Sequence, residues 1–117
     1  LADWDHTGVR DVDYVVGACQ AIRMSALYSV GWLDERIFYG PEDVDFCLRL
    51  QLAGWRLRRA DGAIVEHQAQ RTSHRHPRYL LWHAQSLVRL WRSPAWRAWG
   101  VAEEHTRAGA ADRADLP

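Results

Sequence analysis

One segment of this chain is punctuated at both ends, and it constrains the fold more than any other. It opens on Pro41 and stops at Gly54. Proline has a fixed φ and no N–H, which suits the first turn of a helix, and glycine suits the residue just past a helix end. Between them, Val44, Cys47, Leu48 and Leu52 recur at helical spacing, so one face is expected to be buried. Arg49 follows Asp45 by four residues, the favourable acid-to-base order along a helix. Glu42, Asp43 and Asp45 crowd the first turn, where the partial positive charge of a helix start stabilises acids. From the pattern alone, helix-start acids are the simpler account of all three.

The flanking segments are expected to be short. Residues 1–12 are polar and read as a loop. Residues 13–23 hold apolar, β-favouring runs around Gly17-Ala18, consistent with a strand, a tight passage and a second extended piece. Ser25 is placed to cap a short helix over residues 26–30, closed by Gly31. Residues 32–40 form a loop. Asp61-Gly62 is a two-residue turn signal between residues 56–60 and 63–67, and the latter read as a buried strand. Residues 68–77 are polar and loop-like. Residues 79–92 form an amphipathic basic helix with Leu80, Ala84, Leu87 and Trp91 as its apolar stripe, ended by Ser93-Pro94. Residues 103–117 hold almost nothing large and apolar and are expected to be a disordered tail.

A chain of 117 residues, 48% apolar, is one domain's worth with a small core. The net charge is zero but unevenly spread: residues 1–66 carry 11 acids and 7 bases, and residues 67–102 carry six Arg and no acid. Every base is Arg, a residue suited to planar contact with phosphate or carboxylate. The basic stretch with Trp82 and Trp91 fits either a packed helix with a solvated Arg face or contact with an anionic membrane surface. Acids on both sides of it argue against nucleic-acid binding. Cys19 and Cys47 lie in apolar runs and are expected to be buried free thiols. His74, His76 and His83 lack the cysteine spacing of a zinc finger. No apolar run is long enough to span a bilayer, and a cytoplasmic setting is expected.

The string Gly31-Trp32-Leu33-Asp34-Glu35, then Phe38-Tyr39-Gly40-Pro41-Glu42-Asp43, then Ala53-Gly54-Trp55 resembles the acceptor-side block of inverting, nucleotide-sugar-dependent glycosyltransferases of family 2. Bacterial rhamnosyltransferase-like members are the nearest in flavour. The resemblance covers roughly residues 13–91. It implies an α/β fold: a partial GT-A-like domain with a small mixed sheet and flanking helices, lacking the N-terminal nucleotide-binding half. Residues 1–102 would be the acceptor-side portion.

The same resemblance implies roles. Asp43 would be the general base that takes the proton of the acceptor hydroxyl. Glu42, Asp45, Trp32 and Tyr39 would bind the acceptor, and Gly17 and Ala18 would lie beside the donor sugar. His67 would join a Mg2+ or Mn2+ ion that neutralises the leaving diphosphate. Each has a bland alternative: cap, core aromatic, tight bend or solvated histidine. Partners would be a nucleotide-sugar donor and a saccharide or lipid-linked acceptor, the latter at the inner face of the cell membrane. Asp3-Trp4-Asp5, Asp11-Val12-Asp13 and Asp43-Val44-Asp45 follow no nucleotide-binding strand, so none is assigned as a metal motif. The family usually has a second Gly where Trp32 stands, and an aromatic or small residue where Pro41 stands. The isolated chain is expected to show little or no activity. A non-catalytic carbohydrate-binding or assembly module, or a membrane-surface adaptor, are the alternatives.

Overall fold

The computed structural model describes residues 8–68 and 77–102. In chain order these form β1 (Arg10–Asp11), α1 (Met24–Val30), α2 (Glu42–Leu52), β2 (Arg58–Arg59) and α3 (Pro77–Arg92). A fourth helix, α4, occupies residues 94–102. The fold is mixed α/β. The strands pair antiparallel, Arg10 opposite Arg59 and Asp11 opposite Arg58, and the Val12 N–H donates to the Leu57 carbonyl at 3.0 Å. Among the described residues, this antiparallel pair replaces the small mixed sheet expected.

Helix α2 is the centre of the molecule. Its C-terminal end is a full Schellman motif: the Gly54 N–H donates to the Gln51 carbonyl at 2.9 Å and the Trp55 N–H to the Leu50 carbonyl at 3.0 Å. Gly54 has φ 84°, which a side chain would disfavour. The expected stop is therefore borne out. The expected face is not. Leu52 is exposed, whereas Phe46 and Leu50 are buried with Cys47 and Leu48. One side of α2 packs Phe46, Cys47 and Leu50 with Ala26, Leu27 and Leu57. Another packs Leu48 with Ile37, Leu90 and Ala95. A helix packed on two sides has no single buried stripe for periodicity to find.

Other expectations are corrected. Residues 10–11 form β1 and not loop. Residues 13–23 form no strand before α1; their backbone groups are met by α2 side chains in place of a ladder. Gln51 donates to the Asp13 carbonyl at 2.6 Å, and the Val15 N–H points at Cys47 Sγ at 3.5 Å. Ser25 lies inside α1, whose N-cap is Arg23. Gly31 closes α1 with φ 80°, as expected. Residues 63–67 are no buried strand: Ile64 is 92% exposed and no strand pairs with them. The 61–62 turn does form, but β2 pairs with β1 instead. Cys47 is buried, but Cys19 is exposed, and both thiols are free.

Helix α3 turns the expected stripe outward. Leu80 and Trp91 are exposed, and Ala84 faces solvent with them. The inward face carries Ser86 and Leu90, with Tyr79, Trp82, His83 and Leu87 half-buried. Ser93-Pro94 ends α3 and at once starts α4: Ser93 Oγ accepts the Trp96 N–H at 3.1 Å, and proline sits in the first turn. Of the expected loop over residues 68–77, Pro77 instead opens α3 and residues 69–76 lie outside the described residues, as does the expected tail from residue 103.

Candidate functional site

The start of α2 is built by its own acids. Glu42 Oε2 accepts the Gly40 N–H at 3.0 Å, while the Glu42 N–H donates to the Gly40 carbonyl at 2.7 Å. Pro41 supplies no side-chain cap. Asp43 reaches away from the helix. Its Oδ2 accepts the Gly17 N–H at 2.8 Å, and its Oδ1 accepts the Val44 N–H at 2.8 Å. The structure thus brings the expected base and the expected donor-side glycine together across 26 residues of sequence. Ala18 completes the same turn. A carboxylate offers about four acceptor sites, so two bonds hold Asp43 without exhausting it. A Cβ on Gly17 would meet Asp43 Cβ at 3.5 Å, an ordinary contact, so Asp43 itself does not demand a glycine there.

The loop between α1 and α2 is held through its carbonyls, a feature sequence reading missed. Arg49 donates to the Val30 carbonyl at 2.7 Å, the Trp32 carbonyl at 2.9 Å and Asp45 Oδ2 at 2.9 Å. From α3, Arg89 donates to the Arg36 carbonyl and Ser86 Oγ to the Phe38 carbonyl. His83 Nδ1 lies 3.3 Å from the Tyr39 carbonyl, which only accepts, so the bond requires the proton on Nδ1. Asp34 grips Arg36 through both carboxylate oxygens, at 2.9 and 2.8 Å. That hydrogen bond holds the Asp34 carboxyl below its usual range. The i,i+4 spacing of Asp45 and Arg49 was legible; Ser86 and His83 carried no signal, being polar residues on a helix.

Gly40 explains why the loop can lie so close to α3. It has φ 115°, and a Cβ there would collide with His83 Nδ1. Tyr39 also has positive φ, 64°. Its ring, half-buried, packs on Tyr79 with centroids 5.0 Å apart. Tyr79 and Phe38 each meet Trp82 edge-on, at 5.2 and 5.4 Å. The loop backbone is therefore fixed on both sides, by polar bonds and by rings.

The other expected site residues are dispersed. Trp32 is 71% exposed and stands at the mouth of a groove of about 980 Å³ between α2 and the α3–α4 junction. Asp45 is 3% exposed and committed to Arg49, so in this structure it anchors the loop. Its carboxylate leaves α2 toward the groove, whereas that of Asp43 leaves toward Gly17. His67 is exposed in the segment after β2. Among the described residues, no group of three His, Cys, Asp or Glu could hold a metal ion. No described helix is long and apolar enough to cross a membrane.

What this arrangement offers is a carboxylate fixed on a rigid helix start, beside a bare backbone turn, with a clamped aromatic loop next to it. Known proteins are similar to parts of this chain. The N-acetylglucosaminyl-diphospho-decaprenol L-rhamnosyltransferase of Mycobacterium tuberculosis, in strains CDC 1551 / Oshkosh and ATCC 25618 / H37Rv, is 40% identical over 68 residues. The match spans 58% of this chain but only 22% of each relative's length. No solved structure matches this chain significantly. The sequence pattern of the glycosyl transferase family group 2 matches residues 5–102, and the chain belongs to that family.

Proposed function

We propose that this chain is the acceptor-side, base-bearing part of an inverting glycosyltransferase with a GT-A fold, and that Asp43 is its general base. The observation that carries the reading is the pair of backbone bonds on Asp43, from Gly17 and Val44. They fix a half-buried carboxylate at a helix start and aim it at the turn formed by Gly17 and Ala18. In the reaction, Asp43 takes the proton of an acceptor hydroxyl as its oxygen attacks the anomeric carbon. The bond to the nucleoside diphosphate breaks on the opposite face, which inverts the configuration. Glu42 and Tyr39 flank this position, and the clamped loop keeps the acceptor oriented. The substrates follow the relatives' name: an activated rhamnose or similar sugar, and an acceptor sugar on a polyprenyl diphosphate.

A protein holding this segment together with a nucleotide-binding half is the material for the test. Asp43→Asn keeps an acceptor oxygen for Gly17 but removes the base. Transfer is expected to fall by about 10²–10⁴-fold with acceptor affinity unchanged. Wild-type rates in that variant would refute the assignment.

A second reading concerns the outer face of α3. Leu80, Leu81, Val88 and Trp91 are all exposed, Arg78 and Arg92 border them, and residues 67–102 contain no acid. That face suits peripheral contact with an anionic bilayer carrying the lipid-linked acceptor.

A further inference from the structure

The groove between α2 and the α3–α4 junction has no part in the base chemistry, and its charges do not balance. Two carboxylates line it, and both are already paired: Asp34 with Arg36 and Asp45 with Arg49. Arg89 and Arg92 line it too. They stand three residues apart on α3, hence on neighbouring positions of one helix. Arg89 uses one nitrogen on the Arg36 carbonyl, leaving the rest of its five donors. The Arg92 side chain makes no hydrogen bond or ion pair among the described residues. Among the described residues, no carboxylate pairs with either of these two guanidinium groups of the groove. The remaining wall is mostly apolar, with Leu52, Pro94, Ala95 and Ala98, and Trp32 lies exposed at its rim.

We propose that this groove binds a prenyl diphosphate, with the phosphates on Arg89 and Arg92 and the first prenyl units along the apolar wall. The inference builds on the acceptor-side reading above and names where the lipid-linked acceptor is held. Planar, bidentate donors suit phosphate oxygens. The apolar wall demands a ligand that is greasy as well as anionic. A nucleoside diphosphate is the weaker fit: a ribose diol is held by a free carboxylate, and both carboxylates here are committed to arginines. Arg89 also clamps the loop, so Arg92 is the cleaner residue to change.

The test is calorimetric titration of the full chain with farnesyl diphosphate, a soluble short-chain probe. Farnesol, inorganic pyrophosphate and uridine diphosphate serve as controls. Farnesyl diphosphate is expected to bind most tightly, and more weakly as salt rises. Arg92→Gln is expected to weaken it roughly tenfold or more. Ala98→Trp fills the groove without altering charge and is expected to abolish binding; a circular dichroism spectrum checks that each variant is folded. Asp43→Asn is expected to bind the probe as the wild type does, so a failed base assignment and a failed groove give different results. Equal binding of farnesol, of pyrophosphate or of uridine diphosphate would overturn the proposal. So would no binding, or binding indifferent to both groove variants.

Discussion

Helices α2 and α3 frame the same loop, yet they meet their surroundings differently. Around α2 nearly everything is covered: two apolar clusters pack on it and its one buried acid is paired. Around α3 one face is covered and the other, the more apolar, is left to solvent. Helix α2 is therefore the scaffold of the site, while α3 closes the loop on one side and leaves its other face exposed. The largest test of that contrast is Phe46→Ala. Phe46 is 1% exposed, so its loss is expected to cost about 3–5 kcal/mol, read from the denaturant midpoint. A small domain has little stability to spare, so this variant is expected to be largely unfolded. If Phe46→Ala melts like the wild type, α2 is not the centre of the core.

Gly40→Ala probes the joint between the two helices. The new Cβ would collide with the His83 ring, and φ 115° is strained for any L side chain. The expected cost is about 1–3 kcal/mol from the backbone alone. Adding His83→Ala removes the collision but not the strain, so it is expected to recover only part of the loss. Full recovery in the double variant would show that space alone keeps residue 40 a glycine. In a complete enzyme, Gly40→Ala is expected to reduce transfer more than it reduces stability, because Glu42 is bonded to this residue.

How much of this was legible follows from which signals are local. The start and stop of α2 depend on Pro41 and Gly54, and both ends formed where those residues placed them. The Asp45–Arg49 pair is likewise a matter of one helical turn. The face of α3 depended on the neighbours. Leu80, Ala84, Leu87 and Trp91 make the better apolar stripe, yet the inward face carries His83 and Ser86 because loop carbonyls there need donors. The runs at residues 13–23 and 63–67 have strand-like composition, but a strand needs a partner ladder, and among the described residues only β1 and β2 find one. The family resemblance singled out Asp43 and Gly17 separately; the bond between them was not legible, because no local pattern links residues so far apart.

The two thiols carry the comparison to a finer scale. Cys47 lies in the core of α2, and burial pushes its pKa up, so little thiolate is present to react. Cys19 is exposed beside the Gly17 turn. Under native conditions a thiol-reactive probe is expected to modify Cys19 at once, and Cys47 only at the rate of unfolding or under denaturant. Fast labelling of both would mean that the region around α2 opens far more readily than its packing implies.

The smallest expected effect falls on the outer face of α3. Leu81 is 57% exposed and Trp91 52%, so Leu81→Ser with Trp91→Ser is expected to change stability by no more than about 0.5 kcal/mol per site. That near-silence is informative because the same kind of change on α2 is ruinous. Co-sedimentation with vesicles separates the two meanings of an exposed apolar stripe. If the stripe meets a bilayer, the double variant stays folded but loses affinity for vesicles containing anionic lipid, and Arg78→Gln loses some too. If the variant instead unfolds, the stripe is covered in solution and α3, like α2, is packed on both sides. If it stays folded and vesicle binding is unaltered, the bilayer reading fails. The groove at the α3–α4 junction is then left to hold the acceptor without help from a membrane-bound face.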